Sequence, residues 1–276
     1  MNKLEVFFFD QLVGYLSQEA RELNFVYTDD YLADPKSSAI SISLPLVQGA
    51  FKGEVIEAFF GGFLPEADIR NSLAKRFGVS EANDFGLLNR IGGDCAGAIS
   101  VGQTPTQSNR CLVSNEDLAK FFKQIPSRAL LSFQETRRMS LAGAQHKLAV
   151  LVEDGQIYFP SDKEISTHII KPAIKEYPDS SHNEYFCMEL ARSIGLRVPK
   201  IKLCFAEKTP YLLINRYDRD QQRRLHQEDF TQALGVSYKF KYQNEGGFGY
   251  QECWKLIEAN CNDAAKDKQR FLDLLI

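Results

Sequence analysis

The chain has 276 residues, 44% of them apolar, enough for one ordinary domain or two small ones around real hydrophobic cores, which excludes a disordered or fibrous protein. Lys and Arg number 33 against 36 Asp and Glu, and the net charge of −3 provides no whole-chain field for drawing in nucleic acid. The six cysteines form no C-x-x-C pair and no two histidines lie three to five residues apart, so neither a zinc site nor a disulfide framework is expected. The first ten residues lack a signal-peptide architecture, and no apolar run approaches the roughly 18 residues that span a bilayer, so the expectation is a soluble cytoplasmic protein without membrane contact.

Residues 4–9 and 13–16 read as a hairpin around Asp10 and Gln11, and Ile40 to Pro45 alternates apolar with small polar residues at the period of a strand. A helix is expected from Glu54 to Phe63. Another begins at Pro65 and runs through Ile69, Leu73 and Phe77 until Gly78 stops it, and a third covers Phe85 to Ile91. Ala98 to Val101 reads as a strand. The polar stretch Gln103 to Arg110, with Pro105, has the composition of a linker, which divides the chain into 1–104 and 105–276. Ser114 then offers an N-cap to a helix with an acidic first turn.

Lys147 to Val152 and Gln156 to Phe159 flank an Asp-Gly turn and predict a hairpin. Thr167 to Lys171 is a further strand closed by Pro172. Ser181 to Ile194 is a helix ended by Gly195, with strands at Ile201–Ala206 and Tyr211–Asn215 beyond it. Helices over Gln227–Leu234 and Tyr250–Ala259 follow. The expected fold class is α+β: a small β-rich subdomain with helices, then an antiparallel sheet with one main helix and the start of a helical lobe.

Four features carry chemistry. Ser140-Leu-Ala-Gly-Ala-Gln-His-Lys147 places small residues just before a hairpin, where backbone N–H groups can approach an anion; a plain turn leading into the strand has the same letters. Lys171 ends a strand whose Ile169 and Ile170 are apolar, so its ammonium leaves a buried sheet, either to hold a phosphate or to snorkel into water. Glu184 shares a helical face with Cys187, Met188 and Ala191 and needs a cation there; Lys171 is the nearest candidate, unless Glu184 merely answers the helix dipole. A strand Lys paired with a helix Glu is how protein kinases hold ATP phosphates. Finally, Tyr211 to Asp218 is a strand that turns polar at its end, as a hinge between lobes or any ordinary strand end would.

Ser140–Lys147, Thr167–Lys171, Asn183-Glu-Tyr185, Gly195-Leu-Arg-Val-Pro199, Asn215-Arg-Tyr-Asp-Arg219 and His226-Gln-Glu-Asp229 follow one another in the order of a kinase amino-terminal lobe. With Ser41–Leu46, Phe63-Leu-Pro65 and Ile91-Gly-Gly-Asp94 ahead of them, they make the chain resemble the HipA-type serine/threonine kinase toxins of toxin–antitoxin systems over essentially its whole length. The resemblance implies a HipA-like amino-terminal subdomain followed by a kinase-like domain. It implies an ATP site formed by Ala142, Gly143, Ala144, Gln145, His146 and Lys147, by Lys171 supported by Glu184, and by Asn215, Arg216 and Tyr217 around the adenine. Ser140 matches the family's self-phosphorylation site, where a new dianion would repel the triphosphate. His146 and Asn215 each stand where the family usually has Glu.

ATP and Mg²⁺ are the implied cofactors, and the implied substrate is a protein such as an aminoacyl-tRNA synthetase. A helix-turn-helix antitoxin of the HipB type is the implied partner, and it would supply any DNA contact. The family's catalytic Asp and its metal-binding Asn and Asp are expected after Ile276, so no catalytic or metal-binding residue is assigned within the chain, which as given is expected to be inactive. A truncation, a frameshifted gene or a kinase split over two chains would each produce such a sequence. The alternative function is a non-catalytic interaction protein that binds an antitoxin or a kinase partner.

Overall fold

Phe9 and Asp10 both take positive φ, 49° and 65°, the twist that a two-residue hairpin turn needs, and they fold β1 (Lys3–Phe8) onto β2 (Gln11–Glu19). The computed structural model describes residues 3–102, 109–125, 139–161, 164–220 and 223–275. They fall into two compact units, 1–62 with 228–276, and 63–227. This grouping does not follow the chain-order division at 104/105, a boundary that lies outside the described residues.

In the first unit a second positive-φ turn at Ala20 and Arg21 leads into β3 (Glu22–Tyr27), and after α1 (Asp29–Ala33) the short β4 (Ala50–Lys52) completes the order β4-β3-β2-β1. The helix α2 (Glu54–Gly61) buries Ile56, Phe59 and Phe60, with the Phe60 ring 5.5 Å from that of Phe25. Each such side chain contributes about 1.5–3 kcal/mol on burial. The strand expected at Ile40–Pro45 is instead a tight turn closed by one bridge between Ser41 and Leu44. Partners distant in sequence override its alternation. Tyr27 Oη donates to Leu44 O at 2.6 Å and accepts from Ile40 N, while the Glu228 carboxylate accepts from Ser41 Oγ and from Ile42 N.

The second unit starts with α3 (Ala67–Phe77), ended by Gly78 at φ +66°, and α4 (Asp84–Ile91), capped by the Asn83 side chain. Then come β5 (Ile99–Val101), β6 (Cys111–Leu112) and α5 (Asn115–Gln124), whose Ser114 and Asp117 form a reciprocal capping box. The hairpin of β7 (Leu148–Glu153) and β8 (Gln156–Phe159) turns at Asp154-Gly155, both at positive φ. It is followed by β9 (His168–Pro172), α6 (Ser180–Ser193), β10 (Ile201–Ala206) and β11 (Thr209–Asn215). These strands form a six-stranded sheet, β10-β11-β9-β7-β8-β6, with every pair antiparallel.

Register assigns the two faces of this sheet. Leu148, Ile170 and Leu213 stand side by side and pack with Val150 and Tyr211 against Leu118, Ala119 and Phe122 of α5. Lys171, opposite Leu212, and Ile169, opposite Ala149 and Ile214, therefore face the other way. The short β12 (Arg219–Asp220) and β13 (Arg223–Arg224) pair beyond the sheet.

Three helices return to the first unit: α7 (Phe230–Leu234), α8 (Tyr250–Asn260) and α9 (Ala264–Asp273). The first starts three residues later than expected because Glu228 is used on the 41–42 turn and Asp229 is the N-cap, in a box with Gln232. Gln232 in turn donates to Phe59 O at 2.8 Å. No helix among the described residues is long and apolar enough to cross a membrane.

Candidate nucleotide site

The pleat of β9 sends Ile170 into the core and Lys171 to the opposite face, where its Nζ lies 2.8 and 2.6 Å from the two carboxylate oxygens of Glu184 on α6. The side chains are 21% and 33% exposed, so the pair contributes at most about 1 kcal/mol to stability, and its value lies in fixing where the ammonium points. Glu184 does not sit on a core stripe as its sequence neighbours suggest. Of α6 only Ser181 is buried; on the face shared with Glu184, Cys187 is exposed and Met188 and Ala191 are half-buried. A cation on the neighbouring strand, rather than an apolar surround, is what holds the carboxylate.

Ala142 to Lys147 forms a bend that leads into β7, the strand paired with β9. Gly143 has φ +104°, a region unfavourable to other residues, and a Cβ there would lie 2.7 Å from Lys147 Nζ, which donates to Ala142 O. Gln145 Nε2 donates to Pro172 O at 3.0 Å, tying the bend to the residue after Lys171, and Glu66 N donates to Gly143 O. Burial pushes the His146 pKa down, against the pull of Asp68.

Ser140 is fully buried. Its N–H donates to Asp94 O at 3.1 Å and its Oγ to Phe63 O at 2.5 Å. A phosphoryl group could neither fit nor donate there, so phosphorylation requires the segment to leave. Ser140→Ala is expected to cost about 1 kcal/mol of stability in urea denaturation, while Ser140→Asp, which sets a carboxylate against the Phe63 carbonyl, should expose 139–143 to rapid amide exchange.

The hinge residues differ from expectation. The N–H groups of Asn215 and Arg216 are taken by Lys200 O (2.8 Å) and Thr167 O (2.9 Å), so they are not offered to a base. Asn215 pairs with His168 and shares its face, opposite to that of Lys171. Arg216 turns inward, its side chain 1% exposed, while Asn215 and Tyr217, the latter 68% exposed, are open to solvent. Side chains of Asn215 and Arg216 therefore do not flank an adenine on the Lys171 face.

Arg216 instead joins a buried network. Its Nε and Nη2 clasp Asp218 at 2.9 and 2.6 Å, and its Nη1 reaches Ser166 Oγ at 2.8 Å and Asp94 Oδ2 at 3.5 Å. Arg219 and Arg224 donate to Asp94 Oδ1 at 2.8 and 2.7 Å, and Ser166 Oγ donates to Oδ2 at 2.7 Å. Burial would raise the Asp94 pKa, but Arg216, Arg224 and Arg219 outweigh it and hold the carboxyl far below the usual range. Sequence reasoning assigned Asp94 no role. Its signal was an imbalance, arginines at 216, 219 and 224 crowding Asp218, which calls for a further carboxylate from elsewhere in the chain.

An antiparallel sheet whose strand Lys is paired with a helix Glu beside an anchored loop is the arrangement of a protein-kinase amino-terminal lobe. The family model of the HipA N-terminal domain matches residues 4–102, and that of the HipA-like C-terminal domain matches 139–276. The chain belongs to the HipA family. It is 37% identical to "Putative kinase Y4mE" of Sinorhizobium fredii over 99% of its own length and 69% of that protein's. To the serine/threonine-protein kinase toxin HipA of Shewanella oneidensis it is 29% identical, over 89% of its own length and 58% of the toxin's. The solved complex of HipA, HipB and operator DNA from Shewanella oneidensis superposes with a TM-score of 0.76 at 26% identity, covering 98% of this chain and 67% of that one.

Proposed function

We propose that this chain binds ATP with Mg²⁺ as part of a cytoplasmic serine/threonine protein kinase of the HipA toxin type. Its substrate is a protein such as an aminoacyl-tRNA synthetase, and its partner is a HipB-type antitoxin that makes any DNA contact. The Shewanella oneidensis complex, in which HipA is assembled with HipB and operator DNA, supports that partner. The observation that carries the reading is the Lys171–Glu184 pair beside the Gly143 bend. The residues present suit a triphosphate: two ammonium groups, Lys147 and Lys171, a bend whose backbone an anion can approach, and a carboxylate that orients one of the cations. When bound, the nucleotide supplies the phosphoryl group, and these residues hold and orient it.

The test is binding. Labelled ATP with Mg²⁺ titrated into the full chain should bind, and Lys171→Ala should weaken that binding by roughly 10- to 100-fold. ATP bound equally by both proteins, or by neither, favours the interaction-protein alternative.

A further inference from the structure

We infer that Asp94 is a positioning residue for the nucleotide, holding the phosphate bend and the hinge strand from one point; this rests on the nucleotide reading above. Its main chain works at the bend: Asp94 O accepts from Ser140 N at 3.1 Å, and Asp94 bridges Met139 in parallel, immediately before the bend begins. Its side chain works at the hinge. The carboxylate, on a residue 4% exposed, takes Arg216, Arg219, Arg224 and Ser166, and so anchors the residues on both sides of Tyr217.

The residues after Asp94 extend the grip. Cys95 O accepts from Arg216 Nη2 at 3.1 Å and from Arg219 Nη2 at 3.2 Å, Gly97 O accepts from Arg219 Nη1 at 2.9 Å, and Gly97 N donates to Asp218 Oδ2 at 2.7 Å. The Gly-Asp segment of the HipA N-terminal domain thereby holds two elements of the HipA-like C-terminal domain that are far apart in sequence. A base against Tyr217 and phosphates against Gly143 would meet surfaces whose separation this residue sets. Preorganisation of that kind improves affinity without direct contact.

Asp94→Asn in the full chain separates positioning from mere folding, with ATP and inorganic tripolyphosphate, each with Mg²⁺, as probes. Main-chain bonds at the bend survive the substitution, so tripolyphosphate binding should hold while ATP binds about tenfold more weakly, the order of one preorganised hydrogen bond lost. Amide exchange should quicken at 215–219 more than in β10 or β11. Ser166→Ala, which removes one bond to the carboxylate and leaves the charges, should shift ATP in the same direction by less, and it serves if Asp94→Asn does not fold. The inference is overturned if wild type binds ATP in a Lys171-dependent way and both variants match it. A parallel loss of both probes that tracks thermal stability overturns it too, since that is what a purely structural residue would give. Wild type binding neither probe removes the nucleotide reading itself and this inference with it.

Discussion

Arg216→Ala is expected to lower the free energy of unfolding by about 3–5 kcal/mol, measured as a fall in the urea midpoint at unchanged slope. By count the cluster holds three guanidinium groups and two carboxylates, so the substitution would leave two of each and restore neutrality. Neutrality does not decide the outcome, because hydrogen bonds are what keep buried charges tolerable. Without Arg216, Asp218 Oδ1 loses the Nε bond, Cys95 O loses one of two donors, and Asp94 loses its strongest cationic neighbour. Arg110, which bridges Glu153 and Glu164 at the surface, is the control: water replaces its bonds, and Arg110→Ala should leave the midpoint nearly in place.

The same substitution has a pH signature. Burial pushes both Asp94 and Asp218 up, but their arginines win and hold both below the ordinary carboxylate value of 3.8. A carboxyl with a depressed folded-state pKa adds stability that is complete above its unfolded value and lost as pH falls towards the folded one. Wild-type stability should therefore decline once the pH drops below about 4. With Arg216→Ala the decline should be shallower, since the cation that does most to depress Asp94 has gone. An acid limb of unchanged slope would mean that Arg216 is not the group stabilising the ionised carboxylates.

The features legible in the sequence are those set by neighbours along the chain. The Asp154-Gly155 hairpin, the glycine stops at 78 and 195 and the Ser114 cap each depend on a few adjacent residues, and each stands where local chemistry puts it. Alternation at 40–45 misled because its decisive partners are Tyr27 and Glu228, the second more than 180 residues away in the chain. The grouping on α6 misled because periodicity says which residues share a face and not whether anything covers it; Cys187 is exposed, and Met188 and Ala191 are only half-buried. Lys171 and Glu184 could be paired from order along the chain because strand, short connection and helix leave few arrangements. Asp94 could not, since its partners lie at 166, 216, 219 and 224 and become neighbours only when the sheet has formed.

Lys171 and Glu184 should behave in the opposite way to Arg216, with large effects on nucleotide binding and small ones on folding. Lys171→Ala removes a charge-assisted contact to phosphate, worth about 1.5–3 kcal/mol, so ATP affinity should fall roughly 10- to 100-fold. Glu184→Ala leaves the ammonium in place but free to rotate, and the loss should be smaller. If the carboxylate acts only by aiming the ammonium, removing it from a protein that already lacks Lys171 costs nothing further, and the double variant should bind ATP as weakly as Lys171→Ala alone. Losses that simply add would show Glu184 acting on the nucleotide by another route. Because the pair is partly exposed, the thermal midpoints of all three variants should stay close to wild type. A loss of ATP affinity at constant midpoint cannot be assigned to unfolding, and that combination is what distinguishes a phosphate-holding pair from a merely structural one.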